Sequence, residues 1–203
     1  MLISSAFDLY LFLEKQNLLQ NAPPLWWPNA GSFEVVVGAI LTQNTTWHNV
    51  EQSLSNLENY ITLEKFCLLD ENKLKEKIKP SGFYNQKAPR LKMLTCKIQK
   101  EFGSFQNFQK NVTREWLLAQ KGIGNETADA ILCYGCLRAE MVVDTYTKRL
   151  LKMYGIEFQT YDAYKYFLQE GVQSHFPISQ HHSIYAQFHG MIVEYNKKLK
   201  TFK

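Results

Sequence analysis

Apolar residues recur at spacings of three, four and seven along nearly the whole chain, and no segment alternates with period two for long. Phe7, Tyr10, Leu11 and Leu18 show this spacing near the N-terminus, where Asn21-Ala-Pro-Pro then stops the helix. Such spacing is typical of amphipathic helices and argues against strands. We therefore predict an all-α fold. Helices are predicted over residues 32–41, 46–60, 73–78, 88–102, 113–120, 125–136, 145–155 and 188–195.

Length and composition limit the class of protein. The chain has 203 residues, of which 45% are hydrophobic, enough to bury a core in one domain or two small ones. The longest apolar run without aromatic residues, 35–41, is far shorter than the roughly 20 residues of a membrane span. Asp8 lies within the apolar stretch at the N-terminus, which does not resemble a signal peptide. We expect a soluble protein without membrane association, cytoplasmic and, in a bacterium, associated with the nucleoid.

The four cysteines predict neither a secreted disulfide scaffold nor a metal site. Cys133 and Cys136 form a C-x-x-C, but they lie in an apolar helical stretch without a second pair. A zinc site needs about four ligands, and an iron–sulfur cluster needs four grouped thiolates. We therefore expect buried helix cysteines, no metal and no cofactor.

Positive charge is concentrated in one segment. Residues 73–121 hold twelve basic and three acidic residues, a net charge of +9, so the remainder of the chain carries −5. Such asymmetry suits a surface that binds a polyanion. Solvated helix faces would give the same count, and charge alone leaves both interpretations open.

A short glycine turn joins two predicted helices. Lys121-Gly122-Ile123-Gly124 follows a helix that ends near Gln120. The two glycines allow positive φ, Ile123 can insert between the helices, and amides at the start of the next helix can bind a phosphate. This is how a helix-hairpin-helix holds a DNA backbone, although an ordinary interhelical turn would look alike.

Three further segments support the first interpretation. Asp144 stands eighteen residues after Glu126, in Val143-Asp-Thr145, and the chain also contains Leu41-Thr-Gln-Asn-Thr45 and Gly82-Phe-Tyr-Asn-Gln-Lys-Ala88. In their order along the chain, which is Leu41–Thr45, Gly82–Ala88, the hairpin and then Asp144, the segments resemble the endonuclease III superfamily of helix-hairpin-helix DNA glycosylases. The resemblance covers most of residues 30–155.

The resemblance implies two helical domains with a DNA-binding cleft between them. Residues 30–137 would form the central domain with the hairpin, and 1–29 plus 138–203 would form the second. Gln43 would fill the gap left by a flipped base. Phosphate contacts are expected at the hairpin residues Lys121, Gly122, Ile123 and Gly124, and at Lys87, Lys148 and Arg149.

Asp144 is the predicted catalytic residue. Cleavage of a glycosidic bond builds positive charge on the sugar, which a carboxylate stabilises, and the same group can orient water. Asp144 also stands at the start of a helix, so a simple N-cap is the alternative, and the two roles are compatible.

Departures from the family pattern exclude some activities and cofactors of the family from what we expect of this chain. Bifunctional members use a lysine nucleophile where this chain has Glu126, which cannot form an imine, so no AP lyase activity is expected. No cysteine follows Cys136, so no iron–sulfur cluster is expected. Gln120-Lys121 replaces the usual Leu-Pro before the glycines.

The tryptophans suggest the substrate. Trp26-Trp27-Pro28 with Leu41-Thr-Gln-Asn-Thr45, Glu126 at the lysine position and no cluster make the chain resemble the 3-methyladenine DNA glycosylases of the endonuclease III type. Electron-rich indoles also favour cationic alkylpurines. The residues expected to line the base pocket are Trp26, Trp27, Pro28, Trp47 and Glu126. Core tryptophans are the structural alternative.

The sequence therefore predicts a monomeric, monofunctional glycosylase that acts on double-stranded DNA containing damaged bases. Three alternatives stay open at this point. They are a glycosylase for oxidised or mismatched bases, a bifunctional lyase, and a non-catalytic helix-hairpin-helix module.

Overall fold

A computed structural model describes residues 3–201 of the chain. Across these residues the secondary structure is helical and no strand occurs, which confirms the all-α prediction. The α helices are α1 (Ala6–Glu14), α2 (Phe33–Leu41), α3 (Trp47–Leu57), α4 (Leu63–Leu68), α5 (Glu71–Lys77), α6 (Tyr84–Phe102), α7 (Phe105–Asn111), α8 (Arg114–Leu118), α9 (Asn125–Ala130), α10 (Thr145–Met153), α11 (Tyr161–Gln173) and α12 (His181–Thr201). Within residues 3–201, none of these helices has the length and apolar character needed to cross a membrane.

The chain divides into two compact units. The terminal unit contains Met1–Pro28 and Leu137–Lys203, and the central unit contains Asn29–Cys136. Each boundary lies one residue from the boundary predicted from the sequence.

The terminal unit is built from α1, α10, α11 and α12 around an apolar core. Helix α1 begins with a capping box, in which the Ser5 hydroxyl accepts from the amide of Asp8 and the Asp8 carboxylate accepts from the amide of Ser5. Tyr10 of α1 packs edge-to-face on Phe188 of α12, with ring centroids 5.5 Å apart. Both chain ends therefore contribute to one core.

The central unit is organised around α2. Eight of its nine residues are buried, all but Glu34, as expected for a helix that is apolar on every side. It contacts α3, α6 and the segment that follows α9. That segment, Ile131–Gly135, is a single turn of π-helix, in which Cys136 N donates to Ile131 O at 2.9 Å. The predicted helix 125–136 is therefore α-helical only as far as Ala130.

Candidate active site

The hairpin turn uses its two glycines differently. Gly122 has φ +85°, and a Cβ at this position would stand 2.6 Å from Cδ of Arg90. Gly124 has φ −100° and ψ −178°, an extended conformation open to any residue, and it caps the N-terminus of α9. Ile123 is buried at 7% exposure. The turn therefore requires glycine at Gly122 alone, although the sequence pattern gives both glycines the same role.

Polar contacts lock the two hairpin helices together. The Nε of Arg114 in α8 lies 2.7 Å from Oδ1 of Asp129 in α9, whose side chain is fully buried. The same guanidinium donates to Oδ1 of Asn125 at 3.1 Å. A buried carboxylate needs such a partner, so the pair fixes the angle at which α9 leaves the turn.

Gln43 lies against this turn. Its Nε2 donates to the carbonyl oxygen of Gly122 and to Oγ1 of Thr127, each at 3.0 Å. Two hydrogen bonds thus hold the segment after α2 to the hairpin. The sequence suggests that both take part in DNA binding but does not suggest that they touch.

Lys87 is not on the surface, where a phosphate contact would require it. It is 2% exposed, and its Nζ donates to the carbonyl oxygens of Leu41 and Ser81, both at 2.7 Å. Burial lowers the pKa of the Lys87 ammonium to about 8. A phosphate cannot reach an enclosed ammonium, so the predicted phosphate contact is wrong and Lys87 is a structural link between α2 and the start of α6.

The other predicted phosphate contacts are on the surface. Lys121 is exposed at the hairpin of the central unit, and Lys148 and Arg149 are exposed on α10 of the terminal unit. Arg149 lies over the ring of Tyr146, 5.6 Å from its centroid. These three side chains are accessible to a phosphate.

Asp144 is the N-cap of α10. Its Oδ1 accepts hydrogen bonds from the amide of Thr147 at 2.7 Å and from the Thr147 hydroxyl at 2.9 Å. Its Oδ2 lies 3.4 Å from Nε2 of His189, and the aspartate side chain is 13% exposed. Burial acts to raise the pKa of Asp144, but the contacts with His189 and Thr147 outweigh it and hold that pKa below its usual value. Asp144 is therefore a carboxylate kept ionised in an enclosed setting.

His189 belongs to none of the sequence motifs. The structure buries it, at 4% exposure, and places its imidazole against the predicted catalytic residue. No spacing in the sequence relates a histidine of the last helix to Asp144, 45 residues earlier. The only local signal is that His189 belongs to an otherwise apolar stretch of α12.

Trp26 and Trp27 also belong to the terminal unit. Trp26 has φ +65°, uncommon for a bulky residue, and its Nε1 donates to Oε1 of Glu194 at 3.0 Å. Its ring meets the ring of Trp27 edge-on at 6.1 Å. Trp27 is buried at 7% exposure, while Trp26 and Pro28 are half-buried.

The two remaining predicted pocket residues belong to the central unit. Trp47 is the first residue of α3 and is half-buried. Glu126 lies exposed in the first turn of α9, where a carboxylate interacts favourably with the helix dipole. That these two side chains line a base pocket with Trp26 stays a prediction.

Within residues 3–201, no group of three or more histidine, cysteine or carboxylate side chains could hold a metal ion. Cys133 is in the π-helical turn and Cys136 follows it, and both are buried.

Comparison with known proteins identifies the family to which this chain belongs. Residues 37–174 match the family of HhH-GPD superfamily base excision DNA repair proteins. A candidate DNA repair glycosylase of Methanocaldococcus jannaschii is 43% identical over 182 residues, which cover 85% of this chain and 80% of the relative.

Solved structures agree with this assignment. A Helicobacter pylori 3-methyladenine DNA glycosylase bound to 1,N6-ethenoadenine superposes with a TM-score of 0.91 and is 47% identical, over 96% of this chain and 98% of the other. An endonuclease III in a non-covalent DNA complex has the same fold, with a TM-score of 0.71 at 16% identity, over 94% of this chain and 85% of the other. The chain therefore belongs to the HhH-GPD superfamily of base excision DNA repair proteins, and within it to the DNA glycosylases.

Proposed function

We propose that this protein is a monofunctional glycosylase that hydrolyses the N-glycosidic bond of alkylated purines, such as 3-methyladenine, in double-stranded DNA. The observation that carries the substrate class is the 47% identity, over nearly the whole of both chains, to a 3-methyladenine DNA glycosylase. Trp26, Trp27 and Trp47 are consistent with it, because indole faces attract a cationic base.

The proposed reaction is a displacement by water. The water oxygen forms a bond to C1′ while the bond from C1′ to the purine nitrogen breaks, and the electron pair leaves with the base. A positively charged alkylpurine is a good leaving group, so water suffices as the nucleophile. The ionised carboxylate of Asp144 stabilises the positive charge that develops on the sugar, and it can accept a proton from the water.

The absence of lyase chemistry rests on Glu126. A lyase needs an amine that attacks C1′ and forms an imine, and a carboxylate at this place in α9 cannot do so. Lys121 lies before the turn rather than in α9. Lys87 is enclosed by protein, with both carbonyl contacts at 2.7 Å.

DNA binding is proposed to begin at the hairpin. The turn at Gly122 and the helix start at Gly124 present backbone amides, which bind a phosphate without reading sequence. Lys121, Lys148 and Arg149 add exposed positive charge. A base must then leave the stack to be cut, and Gln43 is the proposed residue that takes its place.

The test is base release from duplexes that carry one defined lesion. We expect release of 3-methyladenine, strand cleavage only after alkali, and no covalent complex after treatment with borohydride. Asp144→Asn should lower the rate of release about 10²- to 10³-fold. A complex trapped by borohydride would overturn the monofunctional assignment. Release of only 8-oxoguanine or of a mismatched thymine would overturn the alkylpurine assignment.

A further inference from the structure

His189 is a buried histidine that the proposed reaction does not use. It lies on α12, its side chain is 5% exposed, and its Nε2 faces Oδ2 of Asp144 at 3.4 Å. Burying an imidazole beside a carboxylate costs solvation for both groups, which a contact between them offsets.

The two oxygens of Asp144 have separate partners. Thr147 donates twice to Oδ1, from its amide and its hydroxyl. Rotation about the Cβ–Cγ bond moves both oxygens of the carboxylate, so a contact on each of them restrains that rotation. Because His189 meets Oδ2, the second contact fixes the plane of the carboxylate.

His189 is itself held in place by Trp26. The two rings meet edge-on, with centroids 5.2 Å apart and planes at 88°. Trp26 is fixed in turn through its indole nitrogen, which donates to Glu194. The imidazole therefore has little freedom to turn away from Asp144.

Gly190 lets this arrangement form. A Cβ at Gly190 would collide with Cγ of Trp26 and stand 2.7 Å from its Cβ, closer than side chains approach. The glycine thus lets the indole lie directly against α12, next to His189. Glu194, one turn further along the same helix, receives the indole nitrogen.

We infer that His189 is a positioning residue for base excision, donating from Nε2 to Oδ2 of Asp144 so that the carboxylate keeps one orientation toward the sugar. This inference rests on the proposed catalytic role of Asp144. His189 does not touch the reacting atoms in this role and acts through the aspartate. An orienting group of this kind affects the rate of the chemical step more than the binding of DNA.

The test compares two substitutions at one position. His189→Phe keeps an aromatic ring against Trp26 but removes the donor, whereas His189→Gln places an amide nitrogen near the position of Nε2. Under single-turnover conditions, His189→Phe should lower the rate of base release about 10- to 100-fold, as expected for the loss of a hydrogen bond to a charged group. The Kd for lesion-containing duplex should stay within about twofold. His189→Gln should recover a large part of the rate.

His181 offers a matched control on the same helix. It is buried at 8% exposure, and its Nε2 lies 2.9 Å from the carbonyl oxygen of Phe176 rather than from a carboxylate. His181→Phe should lower the thermal stability but leave the rate of base release unchanged. Thermal unfolding of all three variants shows which of them fold. If His189→Phe does not fold, His189→Gln still tests the inference.

Three results would overturn the inference. They are a wild-type rate in His189→Phe, an equal loss of rate in His181→Phe, and a loss in His189→Phe confined to the Kd. Asp144→Asn and the wild-type protein distinguish a failure of this inference from a failure of the proposed function. If Asp144→Asn is slowed about 10²-fold or more while His189→Phe is fully active, only the role of His189 fails. A wild-type rate in Asp144→Asn removes the catalytic role of Asp144, and no release of 3-methyladenine by the wild-type protein removes the proposed function itself.

Discussion

The side-chain amide of Gln43 donates a hydrogen bond to the backbone carbonyl of Gly122, 3.0 Å away. This contact joins the segment after α2 to the hairpin turn within the central unit. The carbonyl of Gly122 points toward Gln43, and Thr127 of α9 binds the same amide nitrogen. The proposed wedge residue thus has a fixed place beside the proposed phosphate site before DNA is bound.

Gln43→Ala should slow base release about 10-fold or more, because a flipped nucleotide costs a few kcal/mol and the variant no longer fills the gap it leaves. The measurement is single-turnover base release, together with the fluorescence of 2-aminopurine placed next to the lesion, which reports unstacking.

Thr127→Val is the control for this prediction. It removes one partner of Gln43 but keeps the amide that would enter the duplex and the size of the residue at position 127. We expect a smaller loss of rate than in Gln43→Ala. If Thr127→Val is as slow as Gln43→Ala while it unfolds at the wild-type temperature, the contact with the hairpin matters more than the wedge.

The two hairpin glycines should differ when each is replaced by alanine. Gly122→Ala forces an alanine into a backbone conformation with positive φ, which costs about 1–2 kcal/mol, and pushes its Cβ against Arg90. Gly124 has negative φ, and an added methyl group there would meet nothing within 4 Å. Gly122→Ala should therefore weaken binding to undamaged duplex by about 10-fold, while Gly124→Ala should stay close to wild type.

Fluorescence anisotropy at one fixed salt concentration measures both affinities, since phosphate contacts make binding strongly dependent on salt. Equal losses in the two variants would mean that the added methyl group blocks the phosphate at both places. The backbone conformation of Gly122 would then not be the reason for the glycine.

Sequence periodicity sufficed for the helical class, because an amphipathic helix needs only local spacing. The hairpin and Asp144 can also be located in the sequence, since each lies in a short segment with its own chemistry. Lys87 shows what local sequence patterns cannot predict. Its sequence neighbours are those of a surface lysine, and only the packing of α6 against α2 shows that two carbonyl oxygens enclose its ammonium.

His189 shows the same limit for the site. Its role depends on α12 packing against the start of α10, a contact between segments that no local pattern reports. The left-handed backbone of Trp26 is equally invisible in the sequence, because such conformations are normally signalled by glycine or asparagine. The pairing of Gln43 with Gly122 joins residues 79 positions apart.

Asp144→Asn separates the capping role of this residue from its catalytic role. Asparagine caps a helix about as well as aspartate, so the free energy of unfolding at pH 7 should fall by less than about 1 kcal/mol. The rate of base release should fall about 10²- to 10³-fold, because the charge that stabilises the sugar cation is gone. A large loss of stability with an unchanged rate would leave Asp144 as a cap only.

The lowered pKa of Asp144 predicts how the stability difference between wild type and Asp144→Asn depends on pH. The folded pKa of Asp144 lies below its ordinary value of 3.8, so ionised Asp144 stabilises the fold. This contribution is complete above the ordinary value and is lost as the pH falls through the lower, folded pKa. The difference in unfolding free energy between wild type and Asp144→Asn should therefore shrink on acidification below about pH 4. A difference that grows there would contradict the lowered pKa.

Burial of Lys87 predicts a second rise of stability with pH, in alkaline solution. Its folded pKa is about 8, against an ordinary value of 10.5. Below pH 8 the ammonium is charged in both states, and its burial destabilises the fold. Between pH 8 and 10.5 the folded protein releases this proton while the unfolded chain keeps it, so stability rises with pH across that window, by up to about 3 kcal/mol.

Urea unfolding of wild type and Lys87→Met at several pH values isolates this group, because all other titrations cancel in the difference. The wild-type protein should gain stability relative to Lys87→Met from pH 8 to 10.5, and a difference that stays flat would mean that the two carbonyl oxygens keep the ammonium charged despite its burial.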